Sequence, residues 1–529
     1  MLTTKRAWRG MVTAPHHLAS EAGLSVLKEG GNAAEAMVAM AAAIAVVYPH
    51  MNSIGGDGFW LIAAPGEDVI GIDACGAAAE AADITFYRDR GLEAIPERGP
   101  LAALTVAGTV SGWDAALDVS GRWGGTLPLP RLVEDAVRHG RDGIAVTAGQ
   151  QANTAAKLDG LTDTPGFTEA FLIDGAVPAE GARFRQKRLA ETLEQLGRAG
   201  LDDFYRGDLA VAIAKDLAAV GSPVSAQDLA RHAAQPVTPL STEISAGTLY
   251  NMPPPTQGLA SLMILALFDR LGVAEGEGFD HIHGLIEATK RAFLVRDRHV
   301  TDPGYMTRDA RDFLDPAFLD AEAAKIDRGT ALPWPQRTVP GDTVWLGAID
   351  GAGRAVSFIQ SLYWEFGSGV VLPTTGILWQ NRGISFALDD AAANPLMPGR
   401  KPFHTLNPAL ARLADGRAMV YGNMGGEGQP QSQSAVFTRH VLFGQGLQAA
   451  VTAPRWLLGR TWGDESMSLK LEDRFDPALV QALRDAGHAV ELLGPFDDLL
   501  GHAGAIVRHP DGLLEGASDP RSDGAAMGF

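Results

Sequence analysis

A threonine hydroxyl is a poor nucleophile at neutral pH and needs a base in contact with it. Thr343 is the residue to which this sequence could give one. It opens the strand-like run Thr343-Val-Trp-Leu-Gly-Ala-Ile349, directly behind an irregular stretch, 327–342, that holds Gly329, Pro333, Pro335, Pro340 and Gly341. Such a stretch reads as an exposed linker. If the bond between Asp342 and Thr343 is cut, the threonine becomes N-terminal and gains a free α-amine. The unperturbed pKa of that amine, about 7.7–8.0, lies near working pH. The same hydroxyl can make the cut by attacking the carbonyl of Asp342: an N→O acyl shift gives an ester, which water then cleaves. The oxyanion that develops needs hydrogen-bond donors, and one good donor is worth roughly 3–4 kcal/mol. Asn423-Met-Gly-Gly-Glu-Gly428 follows a strand-like segment and offers the N–H groups of Gly425 and Gly426 with little side-chain obstruction. Thr at a strand start and a glycine loop are each common, so neither identifies the chemistry alone.

The elements around these residues are readable. Apolar residues at helical spacing predict a helix over 18–29, stopped by Gly30-Gly31. Asn32 then caps a second helix, 33–47, whose Ala, Val, Met and Ile on all sides mark it as buried. His50-Met-Asn-Ser-Ile-Gly-Gly-Asp-Gly58 leads into the strand 59–62. This glycine loop precedes a strand, so it reads as a tight turn that lets backbone come close to a neighbour, not as a phosphate cradle. The middle third, from about 128 to 267, reads mainly as helices, with a strand over 247–252. Residues 343–349 and 355–361 form a β-hairpin around Asp350-Gly-Ala-Gly353, with further strands at 376–380, 409–413 and 418–421 and a helix over 434–443. Asp280-His281-Ile282-His283 opens another helix. An HxH pair can bind metal, but no third ligand stands at useful spacing, and helix capping is the expected role.

The bulk composition excludes several classes. With 44 Lys+Arg against 63 Asp+Glu the net charge is -19, and no basic run occurs, so nucleic acid and anionic membranes are disfavoured partners. The single cysteine, Cys75, lies among small residues and reads as a packing residue. No apolar segment follows the basic residues near the N-terminus, which predicts a cytoplasmic protein. A homodimer is compatible with the sequence, which carries no mark of oligomeric state.

Nearly the whole chain resembles the γ-glutamyltranspeptidase family of N-terminal-nucleophile hydrolases. The resemblance rests on 11–20, on Gly30-Gly-Asn-Ala33, Pro49–Gly58 and Val106-Ala-Gly-Thr-Val-Ser-Gly-Trp113, and on Met252-Pro-Pro-Pro255 and Gly516-Ala-Ser-Asp-Pro-Arg521. It implies an α+β fold, a four-layer αββα sandwich assembled from two autocleavage products, 1–342 and 343–529. It also implies roles. Thr343 falls on the catalytic threonine, Ser361 on a second hydroxyl that assists self-cleavage, and Gly425 and Gly426 on the oxyanion pair. No cofactor is implied, since acyl transfer of this kind needs neither metal nor redox group.

The departures point to the substrate. Val344-Trp345 stands where the family usually has Thr-His, and no Arg occurs from Cys75 to Ile84, where the family's arginine grips the glutamyl carboxylate. The γ-glutamyl pocket is replaced by Tyr363, Arg382 and Ser385, and its serine pair by His404-Thr405. Arg382 exchanges a partner for an ammonium for a partner for a carboxylate. Gln380-Asn-Arg-Gly383, Gly425–Gln431 and Arg98-Gly-Pro100 resemble the subgroup that includes oxamate amidohydrolases and cephalosporin-acylase-like members. The expectation is a small carboxylate-bearing amide as substrate, with oxamate first. γ-Glutamyl transfer or hydrolysis, a cephalosporin-type acylase and a non-catalytic binding homologue are the competing readings.

Overall fold

The helix Ala33–Val47 is buried along its whole length. Its N-terminus is closed by a capping box, in which the Asn32 side chain accepts from the Ala34 and Glu35 N–H groups and Glu35 accepts from the Asn32 N–H. Against it packs a seven-stranded antiparallel sheet. In spatial order the strands are Ala525–Gly528, Gly10–Ala14, Asp342–Asp350, Ala355–Tyr363, Asp57–Ala63, Ile70–Ala74 and Gln235–Val237. A second seven-stranded antiparallel sheet runs Lys5–Ala7, Leu514–Ser518, Ala503–Arg508, Ala418–Asn423, Ala409–Leu413, Gly247–Asn251 and Leu240–Ile244. The computed structural model describes residues 2–334, 342–459 and 467–529, so 335–341 of the expected linker lie outside the described residues.

Side chains alternate across the strand Asp342–Asp350, as a period of two requires. Val344, Leu346 and Ala348 join the core under the helix Ala33–Val47, whereas Trp345 and Ile349 join a core shared with Leu410, Val420 and Ile506 of the second sheet. The second sheet turns its other face to the helices Gly258–Arg270, Phe279–His299 and Gln429–Phe437. The result is the expected αββα sandwich, and each sheet takes strands from both sides of the Asp342–Thr343 bond.

Trp345 fills the space between the sheets and donates its indole N–H to Ser357 Oγ at 2.9 Å. Glycines make that room. A Cβ on Gly422 would lie 2.0 Å from the indole, and one on Gly504 2.5 Å. The Trp345 departure therefore belongs to inter-sheet packing. At the far end of the hairpin, Asp350 ties the turn to the helix Ala33–Val47: it accepts from the Ala352 and Arg354 N–H groups and from the Ala33 N–H at 3.1 Å.

Three expectations change. The segment 376–380 forms no sheet strand. Leu378 bridges Val371, Trp379 bridges Gly55, and the chain bends at Gly376, with φ of +70°. The helix expected over 434–443 starts earlier, at Gln429, with Pro430 in its first turn, and ends in a π-helical turn, Thr438–Leu442. The middle third also contributes Leu240–Ile244, whose alternating half-buried pattern suits an edge strand. Among the described residues, no helix is long and apolar enough to cross a membrane.

Packing of the indole against bare backbone gives a test. Gly422→Val should destabilise the protein by about 1–3 kcal/mol or more through overpacking. Adding Trp345→Leu should recover part of that loss, and thermal denaturation of both variants and the double variant would measure the coupling. Simple additivity would contradict the contact.

Candidate active site

The site lies where the first sheet's three middle strands end together. Asp57 pairs with Ser361, and Asp342 pairs with Tyr363. Between Asp342 and Val344 the ladder shifts register, because Val344 pairs with Gln360, so Ser361 and Leu362 share the space opposite Thr343. Such a bulge re-aims a side chain at a strand end. The chain then leaves the strand through Tyr363 at φ +84°, a left-handed conformation that is strained for a bulky residue. Close backbone approach completes the geometry. A Cβ on Gly56 would stand 2.1 Å from the Ser361 carbonyl oxygen, and one on Gly55 2.2 Å from that of Leu378. The glycine turn is the tight approach expected of it.

Thr343 is fully buried. Its Oγ1 donates to Ser361 Oγ at 3.4 Å and accepts from Gln429 Nε2 at 3.1 Å. Ser361 Oγ also accepts from the Tyr363 N–H at 2.8 Å. Nearby, Gly425 and Gly426 adopt φ of +108° and +52°. Their N–H groups make no hydrogen bond to another described residue. Gln257 holds this loop from below by donating to the carbonyls of Gly426 and Thr405, each at 2.7 Å, and it accepts from Arg296, which pairs with Glu427.

Arg382 joins this cluster through Thr405. It is buried, stacks its guanidinium 3.3 Å from the centre of the Tyr363 ring and donates to Thr405 Oγ1 at 3.3 Å. Its position over the ring face is stacking geometry, and Nε and Nη2 have no hydrogen-bond partner. Among the described residues no carboxylate pairs with it directly. Burial lowers its pKa, while the nearby Tyr363, Cys75 and Asp57 oppose that shift.

Asp57 is the nearest structural anion. Its Oδ1 accepts from the Gly76 and Gly108 N–H groups and from Gln380 Nε2, and its Oδ2 faces His404 Nε2 at 3.1 Å. Burial pushes the carboxyl up to about 6, against these hydrogen bonds, so it is ionised at neutral pH. Burial, then Arg382, holds His404 well below its ordinary value. A neutral His404 donating from Nε2 follows.

The fold thus brings Thr343, Ser361, Tyr363, Arg382, His404, Thr405, Gly425 and Gly426 into one region. Ser385 sits on the same short turn as Arg382, but its hydroxyl is donated to the Phe403 carbonyl at 3.3 Å. Asp57, Gln257 and Gln429 are not anticipated by the sequence reading, and only the interruption of Gly55-Gly56-Asp57-Gly58 by a single acidic residue hints at the first. Cys75 is buried beside Asp57 and His404, as a packing residue should be, and burial raises its thiol pKa.

A third side chain does reach His283, contrary to the expectation from spacing. His488 Nε2 lies 2.9 Å from His283 Nδ1, with Glu287 beside them. Lys290 already neutralises that glutamate at 2.6 Å, and His281 turns instead to Thr438 and the Glu277 N–H.

Comparison with known proteins places the chain in a family. The gamma-glutamyltranspeptidase family profile matches residues 19–529. The chain belongs to the γ-glutamyltranspeptidase family. It is thus an amide hydrolase of the N-terminal-nucleophile class. The oxamate amidohydrolase proenzyme of Klebsiella pneumoniae subsp. pneumoniae is 57% identical over 98% of both chains. The glutathione hydrolase proenzyme of Escherichia coli is 30% identical, over 98% of this chain and 91% of its own. Among solved structures, cephalosporin acylase from Bacillus halodurans superposes with a TM-score of 0.92 at 32% identity, covering 100% of this chain and 97% of that one.

A buried cation without a direct carboxylate partner costs stability. Arg382→Met should therefore raise the thermal midpoint, by the equivalent of about 1 kcal/mol or more, even as it impairs any activity that uses the guanidinium. A midpoint several degrees lower would mark Arg382 as a structural residue.

Proposed function

We propose that this family member is a self-processing N-terminal-threonine amidohydrolase that converts oxamate to oxalate and ammonia. The observation that carries the substrate choice is Arg382, a buried guanidinium whose Nε and Nη2 have no partner and whose Nη1 donates to Thr405. A planar fork of N–H groups suits a carboxylate adjoining the amide carbon. The 57% identity to an oxamate amidohydrolase proenzyme supports the same choice.

In self-processing, Thr343 Oγ1 attacks the Asp342 carbonyl carbon, the C–N bond breaks, and the nitrogen keeps the proton released by the hydroxyl. Water hydrolyses the resulting ester, leaving a carboxylate on Asp342 and a free α-amine on Thr343. Ser361 Oγ, 3.4 Å from the nucleophile in the uncut chain, receives its hydrogen bond and orients it. The products are 1–342 and 343–529. They stay together because both sheets are built from both pieces.

In turnover, the α-amine takes the hydroxyl proton as Oγ1 attacks the amide carbon of oxamate. The Gly425 and Gly426 N–H groups receive the oxyanion. The amine returns the proton to the departing ammonia, and water cleaves the oxalyl ester. Arg382 and Thr405 hold the carboxylate. Tyr363 fixes the guanidinium plane, His404 with Asp57 balances its charge, and Ser385 steadies the turn that carries it.

Mass spectrometry of purified protein should find two fragments, the smaller beginning at Thr343, and Thr343→Ala should stay full length. Ammonia release from oxamate should fall as pH drops through about 8 to 7, where the amine protonates. An active enzyme with the Asp342–Thr343 bond intact would reject the mechanism. Equal turnover of a γ-glutamyl anilide or a cephalosporin side-chain amide would reject the substrate.

A further inference from the structure

Gln429 contributes a donor that reaches the Thr343 hydroxyl oxygen, which itself donates to Ser361. Its Nε2 lies 3.1 Å from Thr343 Oγ1, and the side chain is fully buried. The orientation of its amide is fixed from the other end. Asn407 Nδ2 donates to the Thr405 carbonyl at 3.0 Å, so it presents N–H, and not oxygen, to Gln429 Oε1 at 3.1 Å. With Oε1 committed as an acceptor, Gln429 turns its NH2 group to the threonine. The helix Gln429–Phe437, anchored through Gln433 Nε2 to the Asn407 carbonyl at 2.7 Å, carries the residue. Pro430 rigidifies its first turn.

The geometry points to Gln429 as a further catalytic residue, an amide donor that grips the Thr343 oxygen and leaves its proton directed away from Gln429. A fixed donor stabilises negative charge as it grows on that oxygen during departure of the proton. It also restricts the lone pair available for attack to the direction of the acyl carbon. The same contact serves the self-cleavage step, where no terminal amine yet exists, and the later hydrolysis. This inference rests on the proposed role of Thr343, but not on the identity of the substrate.

Two variants separate chemistry from packing. Gln429→Met keeps the bulk and removes the donor. Gln429→Glu keeps the shape and presents a carboxylate. Both should slow self-cleavage, followed as decay of the full-length band, and lower kcat for oxamate on the order of tenfold to a hundredfold, with KM little changed. Self-cleavage of the Glu variant should recover as pH falls, because a protonated carboxyl regains an O–H donor. A merely structural role would not produce that slope. Processing and turnover of both variants within about threefold of the parent, with unchanged thermal midpoints, would overturn the assignment. If the Met variant loses its fold, the pH slope of the Glu variant decides; if the Glu variant does, the processing rate and kcat of the Met variant decide. A parent chain that never divides before Thr343 would instead overturn the underlying reading of that threonine, and so distinguishes the two failures.

Discussion

The ladder between the two central strands skips one step at Thr343, and the site depends on that skip. From Val344 to Ile349 every residue has a partner on the returning strand, and then two residues, Ser361 and Leu362, share the space opposite one. A regular pair would fix Thr343 in the ladder. The bulge instead leaves its hydroxyl between Ser361 and Gln429, at the rim of a sheet whose interior is tightly packed. Rigidity behind Thr343 comes from the alternation of Val344, Leu346 and Ala348 into one core and of Trp345 and Ile349 into another. Gly56 lets the neighbouring strand come close enough to support the break, since any side chain there would strike the Ser361 carbonyl.

Around this break the interior carries polar groups that a core made only for stability would omit. Arg382 is buried with its Nε and Nη2 unmet, and among the described residues Asp57 is a carboxylate that acts on it from nearby, held by three N–H donors and His404. Tyr363 reaches its stacking position through a left-handed backbone conformation. These features cost free energy, which the large cores on either side offset. They are concentrated at one end of the sandwich, around Thr343. The same end receives the glycine loop from the second sheet, where Gln257, Arg296 and Glu427 form a buried brace beneath it.

Much of the architecture was legible because it repeats locally. The helix Ala33–Val47, its Asn32 cap, the hairpin around Asp350–Gly353 and the strand Ala409–Leu413 follow from periodicity and turn chemistry. Where a backbone path depends on a distant neighbour, the sequence misled. Residues 376–380 have strand composition, yet they cross over Gly55 as isolated bridges, and the helix beginning at Gln429 was obscured by the glycine run before it. Similarly, Trp345 has no local signal of its role, because the glycines that admit it are 77 and 159 residues away, at Gly422 and Gly504.

By itself, the sequence determined the resemblance to the family, and with it which residues, Thr343, Gly425, Gly426 and Arg382, fall at the positions where roles are expected, since each is a matter of residue type at a given position. Only the tertiary structure decided that no carboxylate among the described residues pairs directly with Arg382, that Asp57 and His404 are paired to each other nearby, and that Gln429 touches Thr343 Oγ1. The reason is physical: partners drawn from separate strands, turns and helices are brought within hydrogen-bond range by sheet register and sandwich packing, and neither leaves a trace in the spacing of residues along the chain.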